Sequence, residues 1–381
     1  MTQKTEFLVI GGGTMGTATG WALARRGRRV TVLEQFDHVH TFGSHSGNTR
    51  IYRHAYAEGA LYVPWALKAS SLWREIQART GTTLMIETGC LDISEPGLGR
   101  ATTARASAAA FDLPVEELTG AELNARWPAW NIPDDWEITL DPDAGFLLVE
   151  PALRALASEM TAAGGILRTN EPVTSWSASE NGIRVVTGQD TYEADHLVIA
   201  AGAWNGKILR DLDIPLEVRR KPVMWFQTAH AANFLPEAFP VFVYQDRTGE
   251  YYGLPIYGDD PLKVGGSVKI GIHTGGQAID PDTLDREFHE SDIEPDFRAF
   301  LTERMRGIEP VVTQSSMCMY TMTPDHDFII DRHPDHANVA IAAGFSGHGF
   351  KFTPQVGEHL ADLVTDSTVK PVPAFSLNRF G

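Results

Sequence analysis

The stretch that decides the fold is Phe7-Leu8-Val9-Ile10-Gly11-Gly12-Gly13-Thr14-Met15-Gly16, followed by a helical pattern through Ala22, Leu23 and Ala24 and then by Arg29-Val30-Thr31-Val32-Leu33-Glu34. It reads strand, tight turn, helix, strand. Four apolar residues run straight into the glycines, as in a parallel sheet covered on both faces. Gly11 is placed to make the turn, Gly13 to let the backbone approach a pyrophosphate, and Gly16 to let helix and strand pack closely. The helix begins with free amides facing the phosphates. Glu34 follows about 20 residues later, where an acid holds ribose hydroxyls. The stretch predicts a Rossmann-like dinucleotide-binding unit but does not choose between FAD and NAD, which share it.

Two later segments read as strands that deliver a glycine to the same centre: Leu197-Val198-Ile199-Ala200-Ala201-Gly202-Ala203-Trp204 and Val339-Ala340-Ile341-Ala342-Ala343-Gly344. The second continues into Phe345-Ser346-Gly347-His348-Gly349-Phe350-Lys351-Phe352, a loop whose backbone amides can cup an anion, and then into a helix over 353–364. A nucleotide domain built from N-terminal, middle and C-terminal pieces suits an FAD enzyme better than a simple NAD dehydrogenase. Between these pieces, residues 216–275 alternate aromatic or β-branched residues with polar ones, as in Val223-Met224-Trp225-Phe226 and Tyr251-Tyr252-Gly253-Leu254. That pattern predicts an antiparallel sheet. Helices are predicted over 63–79 and 151–163, the second with Pro151 at its first position. The expected fold class is α/β (α+β), with an FAD-binding domain from 1–80, 145–215 and 320–381 and a β-sheet substrate domain from 81–144 and 216–319.

The 381 residues carry a net charge of −17, which excludes a nucleic-acid binder driven by bulk charge. Two cysteines exclude a disulfide scaffold and point to a reducing compartment. Glu6 opposes a signal-peptide reading of the N-terminus, and no apolar run approaches the ~18–20 residues that span a bilayer. A soluble cytoplasmic protein, monomeric or weakly self-associating, with no membrane partner, is expected. The 13 histidines show no zinc-ligand spacing.

The segment Gly43-Ser44-His45-Ser46-Gly47-Asn48-Thr49-Arg50-Ile51-Tyr52-Arg53-His54-Ala55-Tyr56 resembles the flavin-contacting segment of the monomeric sarcosine oxidase and N-methyltryptophan oxidase family of FAD-dependent amine oxidases. So do Cys318-Met319-Tyr320-Thr321, the Gly344–Phe352 loop, Ala203-Trp204-Asn205, Lys269-Ile270-Gly271-Ile272-His273 and Phe375-Ser376-Leu377-Asn378-Arg379. The likeness runs in order along almost the whole chain. It implies a glutathione-reductase and D-amino-acid-oxidase type of fold, a small secondary amino acid and O2 as substrates, and an FAD attached covalently through Cys318.

The same resemblance assigns roles. Flavin contacts fall on Gly11, Gly13, Thr14, Met15, Gly16, Glu34, Gln35, Ser44, His45, Thr49, Arg50, Val173, Ala201, Gly202, Trp204, Gly344, Gly347, His348, Gly349 and Lys351. Arg53 and Lys351 clamp the substrate carboxylate, for which a planar guanidinium is well shaped. Tyr252, Tyr320 and His273 close the pocket, and Lys269 places a fixed positive charge where oxygen is reduced. Arg50 adds positive potential beside the flavin ring. The implied reaction turns the C–N bond into an imine, which water splits into an aldehyde and an amine, with hydrogen peroxide as co-product. The alternative is an amine dehydrogenase with a partner acceptor.

Four features depart from the family. Ser46 stands where a second histidine is common and Tyr52 where an aliphatic residue is. The segment 257–267 is longer than the family's loop before Lys269, and Arg247 adds a cation between pocket strands. An extra cation would suit a second carboxylate, hence an N-carboxymethyl amine such as iminodiacetate, giving glyoxylate. An exposed turn charge is the competing reading of Arg247. Cys90 matches no functional position and is expected in the core.

Overall fold

The computed structural model describes residues 2–179, 182–258 and 266–380. Three sheets organise the chain among these residues. The opening strand Thr2–Ile10 lies between Val30–Leu33 and Thr191–Ile199, parallel to both. Ile166–Arg168 extends the parallel set beyond Val30–Leu33. On the other side Thr191–Ile199 divides its outer edge. Its first half pairs antiparallel with Gly182–Thr187 and its last three residues pair parallel with Val339–Ala343. The four apolar runs predicted for the nucleotide domain, ending at Ile10, Leu33, Ile199 and Ala343, therefore meet in one sheet, and their C-terminal ends lie on one side.

The helix Thr14–Ala24 is buried from Met15 to Ala24 because the helices Val149–Ala162 and Thr353–Thr365 cover it. Close packing depends on missing side chains: a Cβ on Gly16 would come within 1.7 Å of the Gly11 carbonyl oxygen. Leu8, Val9, Trp21, Leu23 and Val32 are almost wholly buried here. Each such side chain contributes roughly 1.5–3 kcal/mol of transfer free energy. The helix predicted from 63 is Val63–Thr80, ended by Gly81 at φ +66°, a left-handed conformation that glycine adopts without strain. The helix expected from 151 begins two residues earlier, at Val149.

The second sheet runs Ile308–Met322, Glu217–Thr228, Ser267–Ile272, Gly249–Leu254, Val241–Asp246, Cys90–Ser94, Glu137–Asp141 and Glu116–Leu118. The predicted antiparallel run accounts for its middle. One join is parallel, Val241–Asp246 against Cys90–Ser94, and brings in strands distant in sequence. Trp130, Phe226, Phe242 and Tyr244 fill the core on the face covered by the helix Pro295–Arg304. A small antiparallel sheet of Thr49–Tyr52, Gly145–Leu148 and Met85–Glu87 completes the set. Among the described residues no helix is long and apolar enough to cross a membrane.

Candidate active site

A cavity of about 860 Å³ follows the C-terminal ends of the parallel strands, where open α/β sheets place their ligands. It starts between Gly11, Gly13, Thr14, Met15, Glu34 and Gln35, passes Val173, Ala201, Gly202 and Trp204, and ends against Ser44, His45, Arg50, Tyr320, Gly344, Gly347 and Gly349. Five other predicted flavin residues lie outside its wall. Gly16 sits behind it, packed on Gly11. Thr49 and Cys318 form the next layer, since Thr49 Oγ1 accepts from Lys269 while Cys318 Sγ donates to the carbonyl of Ser44 at 3.1 Å. His348 is turned toward Tyr56, its Nδ1 2.9 Å from the phenol oxygen. Lys351 lies beside the same phenol.

The wall suits a dinucleotide. Gly13 caps the helix with no side-chain hydrogen bond and no acid in the first turn, so the leading amides remain available to an anion. Glu34 is fixed by the amides of Gly12 at 2.8 Å and Phe36 at 3.0 Å, one on each carboxylate oxygen, which holds it at the cavity edge. Gly11, at φ +99°, has no room for a Cβ, which would meet Ala200 O at 2.4 Å. His45 is buried with Nε2 unpartnered, and burial reinforced by His40 lowers it to about 3, so it is neutral. These are the donors and the close approach that FAD requires.

Beyond the far end, polar side chains converge. Arg53 is 4% exposed and its Nη2 lies 2.6 Å from both carboxylate oxygens of Glu58. Burial opposes its charge, but Glu58 and then Asp92 hold its pKa well above the usual value; Glu58 in turn is held well below its own by Arg53 and Arg100 despite burial. Lys351 Nζ donates to Tyr56 OH at 3.1 Å and to the His348 carbonyl at 2.8 Å. Burial, and then Arg53, bring it down to about 7. Both cations rest on the Tyr56 ring, at 4.8 and 5.2 Å.

Tyr252 and Tyr320 share a hydrogen bond, and the Tyr320 hydroxyl is 3.4 Å from His273 Nδ1. Burial pushes Tyr252 up to about 12, and burial followed by Arg100 keeps His273 well below its usual value. This wall is uncharged at neutral pH. Lys269 donates to the carbonyls of Gly47 at 2.5 Å and Thr49 at 2.6 Å. Burial, and then Arg50, hold it well below the usual lysine value. Three acceptors, the carbonyls of Gly47 and Thr49 and the Thr49 hydroxyl, surround its amine and fix its position.

Arg247 is not brought to this site. It lies in the turn between Val241–Asp246 and Gly249–Leu254, its side chain 78% exposed and paired with Glu95 at 2.9 Å. The turn reading of that cation is the correct one. Of the long segment 257–267, residues 259–265 lie outside the described residues. Ser46 donates to the Met317 carbonyl at 3.0 Å, and Tyr52 packs in the core that holds Val9, Trp21 and Val32, with its hydroxyl unpartnered. Cys90 is fully buried, and burial raises its pKa well above normal, as expected of core.

Sequence reasoning missed several residues. Glu58, Asp92, Arg100 and Glu250 form a buried ion network behind Arg53, with Arg100 touching all three acids. The acids and their arginine come from separate elements, so no local spacing announces them. A second cavity of about 330 Å³ abuts the first at Ser346 and is lined by Glu58, Arg100, Arg219, Gln245, Glu250, His273 and His326, among others.

Comparison with known proteins agrees with this geometry. The model of the family described as FAD dependent oxidoreductase matches residues 6–363. A monomeric sarcosine oxidase from Bacillus sp. (strain B-0618) is 40% identical, with 100% of this chain and 97% of the relative covered. An N-methyl-L-tryptophan oxidase from Yersinia pestis (strain Pestoides F) is 35% identical, with 98% and 99% covered. The crystal structure of a glycine oxidase from Geobacillus kaustophilus superposes with a TM-score of 0.80 at 21% identity, covering 99% of each chain.

Proposed function

Because the chain belongs to the FAD-dependent oxidoreductase family, with sarcosine and N-methyltryptophan oxidases among its relatives, we propose that it oxidises the C–N bond of a small secondary amino acid, with O2 as final acceptor. The observation that carries this reading is the buried Arg53, whose Nε has no hydrogen-bond partner while Glu58 occupies Nη2. An unpaired buried donor on a guanidinium calls for an acceptor, and a carboxylate fits it.

FAD, held along the wall from Gly11 and Glu34 to Gly349, would supply the two-electron acceptor for oxidation of the C–N bond. Arg53 and Lys351 bind the substrate carboxylate. The neutral Tyr252, Tyr320 and His273 enclose the amine and exclude water. Nearby cations disfavour an ammonium, so the substrate nitrogen is held in the neutral form that can yield an imine. Hydrolysis of the imine releases an aldehyde: formaldehyde from an N-methyl group, glyoxylate from an N-carboxymethyl group. Cys318 is the proposed point of covalent attachment, supported by its place directly behind Ser44 and Arg50. The proposed division remains a flavin part of 1–80, 145–215 and 320–381 and a substrate part of 81–144 and 216–319, although the strand Ile308–Met322 runs through position 320.

Arg219 now supports the N-carboxymethyl reading in place of Arg247. It lines the second cavity beside His273, and its carboxylate partner is the exposed Glu217, a pairing weak enough to exchange. The test is to mix the holoprotein anaerobically with sarcosine, N-methyl amino acids and iminodiacetate, follow flavin bleaching, and then admit air. Bleaching followed by rapid recovery and peroxide supports an oxidase. No bleaching by any secondary amino acid overturns the reading, and bleaching that persists in air favours the dehydrogenase.

A further inference from the structure

The position of His273 is set from two directions. Its backbone amide donates to the Glu250 carbonyl at 2.7 Å. The carbonyls on either side of it, of Ile272 and Thr274, accept from Lys221 Nζ at 3.3 and 2.6 Å. Lys221 comes from the strand Glu217–Thr228, in register opposite Cys318, and its Nζ lies 5.1 Å from the centre of the Tyr320 ring. One ammonium thus touches the chain on both sides of His273 and the face of Tyr320, the two groups whose side chains meet at 3.4 Å.

We propose that Lys221 is a positioning residue that holds His273 against Tyr320 at the substrate pocket and relaxes that hold when it loses its proton. The inference rests on the substrate site proposed above. Lys221 is 2% exposed and, among the described residues, has no carboxylate partner within ion-pair distance. A buried ammonium satisfied only by carbonyls and a ring is costly compared with an apolar side chain of the same length, so packing alone does not account for it. The groups that face it are Arg219 on its own strand, Glu294 ahead of the helix Pro295–Arg304, Cys318 and Tyr320 on the neighbouring strand, and His273 itself. Burial, then Arg219, outweigh Glu294 and Cys318 and bring Lys221 to about 8. Hydrogen bonds from a charged donor are roughly twice as strong as neutral ones, and the ring contact needs the charge, so the hold weakens as pH rises through 8.

The test compares the holoprotein with Lys221→Arg and Lys221→Met. Binding of methoxyacetate, an isostere of sarcosine without an oxidisable amine, is read from the flavin absorbance between pH 6.5 and 9.5. Lys351 titrates in all three proteins, so its effect cancels in the ratio of variant to wild type. The expected result is that Lys221→Met binds about 3–10-fold more weakly at pH 7, the size of one lost hydrogen bond. Lys221→Arg should match the wild type at pH 7 and bind several-fold more tightly than it at pH 9, with kcat/KM for the best amine moving in parallel. A ratio constant across pH, or wild-type binding by Lys221→Met, overturns the proposal. If Lys221→Met fails to fold, the arginine variant still decides. A wild type that binds methoxyacetate and bleaches with an amine, yet shows no such ratio, sinks this inference alone; one that does neither sinks the substrate site with it.

Discussion

Glu58 holds Arg53 through Nη2, both carboxylate oxygens lying 2.6 Å away, and leaves Nε of the same guanidinium buried and unpaired. The arginine is thus anchored and still has a donor to give. Arg53→Ala should raise the dissociation constant of methoxyacetate by about 30-fold or more, the loss of roughly 2–5 kcal/mol expected when one partner of a desolvated charge pair is removed. Arg53→Lys should not restore it, because a single ammonium cannot serve Glu58 and a substrate together in fork geometry. Titrations of the flavin spectrum measure both.

Cys318→Ser should separate flavin binding from flavin attachment. The cavity wall is intact without the sulfur, so the variant should still copurify with FAD. Acid precipitation should then leave yellow colour in the supernatant, whereas wild-type colour stays in the pellet and the intact mass includes the flavin. Free flavin from wild type would refute the attachment.

Arg219→Gln should leave turnover of sarcosine within about twofold, since the exposed Arg219–Glu217 pair contributes little to stability. Turnover of iminodiacetate should fall by about tenfold or more if the second carboxylate meets this side chain. Equal effects on both substrates would remove Arg219 from substrate selection. Steady-state peroxide assays with the two amines decide.

The stability of flavin-free protein should rise with pH between about 7 and 10. Lys351 and Lys221 sit at about 7 and about 8 in the fold against 10.5 ordinarily. In that window the unfolded chain binds more protons than the folded one, so raising pH favours folding; below pH 7 the cost of burying both charges is present in full. Tyr252, pushed up to about 12, acts in the opposite direction above pH 10. Thermal melts of apoprotein should show the rise, and Lys351→Met should flatten its lower half. A melting temperature that falls steadily from pH 7 to 9 would contradict these assignments.

The nucleotide half of the molecule was largely legible because its signals are local. Gly11, Gly13 and Gly16 sit within one turn, and Val339–Ala343 is apolar throughout because both its faces are covered. The catalytic half was less legible because its geometry depends on pairings between distant strands. Nothing in 90–94 announces a parallel join to 241–246, and that join lies beside the Asp92–Arg100–Glu250 network. Arg247 misled because a cation just past the end of a pocket strand can equally occupy the turn to the next one. Lys221 reads as one polar residue in an alternating strand; only the fold shows that its polar end is enclosed.

The binding cavity joins distant parts of the chain: Tyr56 and Lys351, 295 positions apart, share a hydrogen bond near its end, and the wall runs from Gly11 to Gly349. A nascent polypeptide on the ribosome has the phosphate loop early but lacks the closing wall until the segment 344–349 has been made. Enclosed cofactor binding then waits for that segment, which makes a yellow, flavin-loaded molecule a report that 344–349 has docked against the strands made long before it.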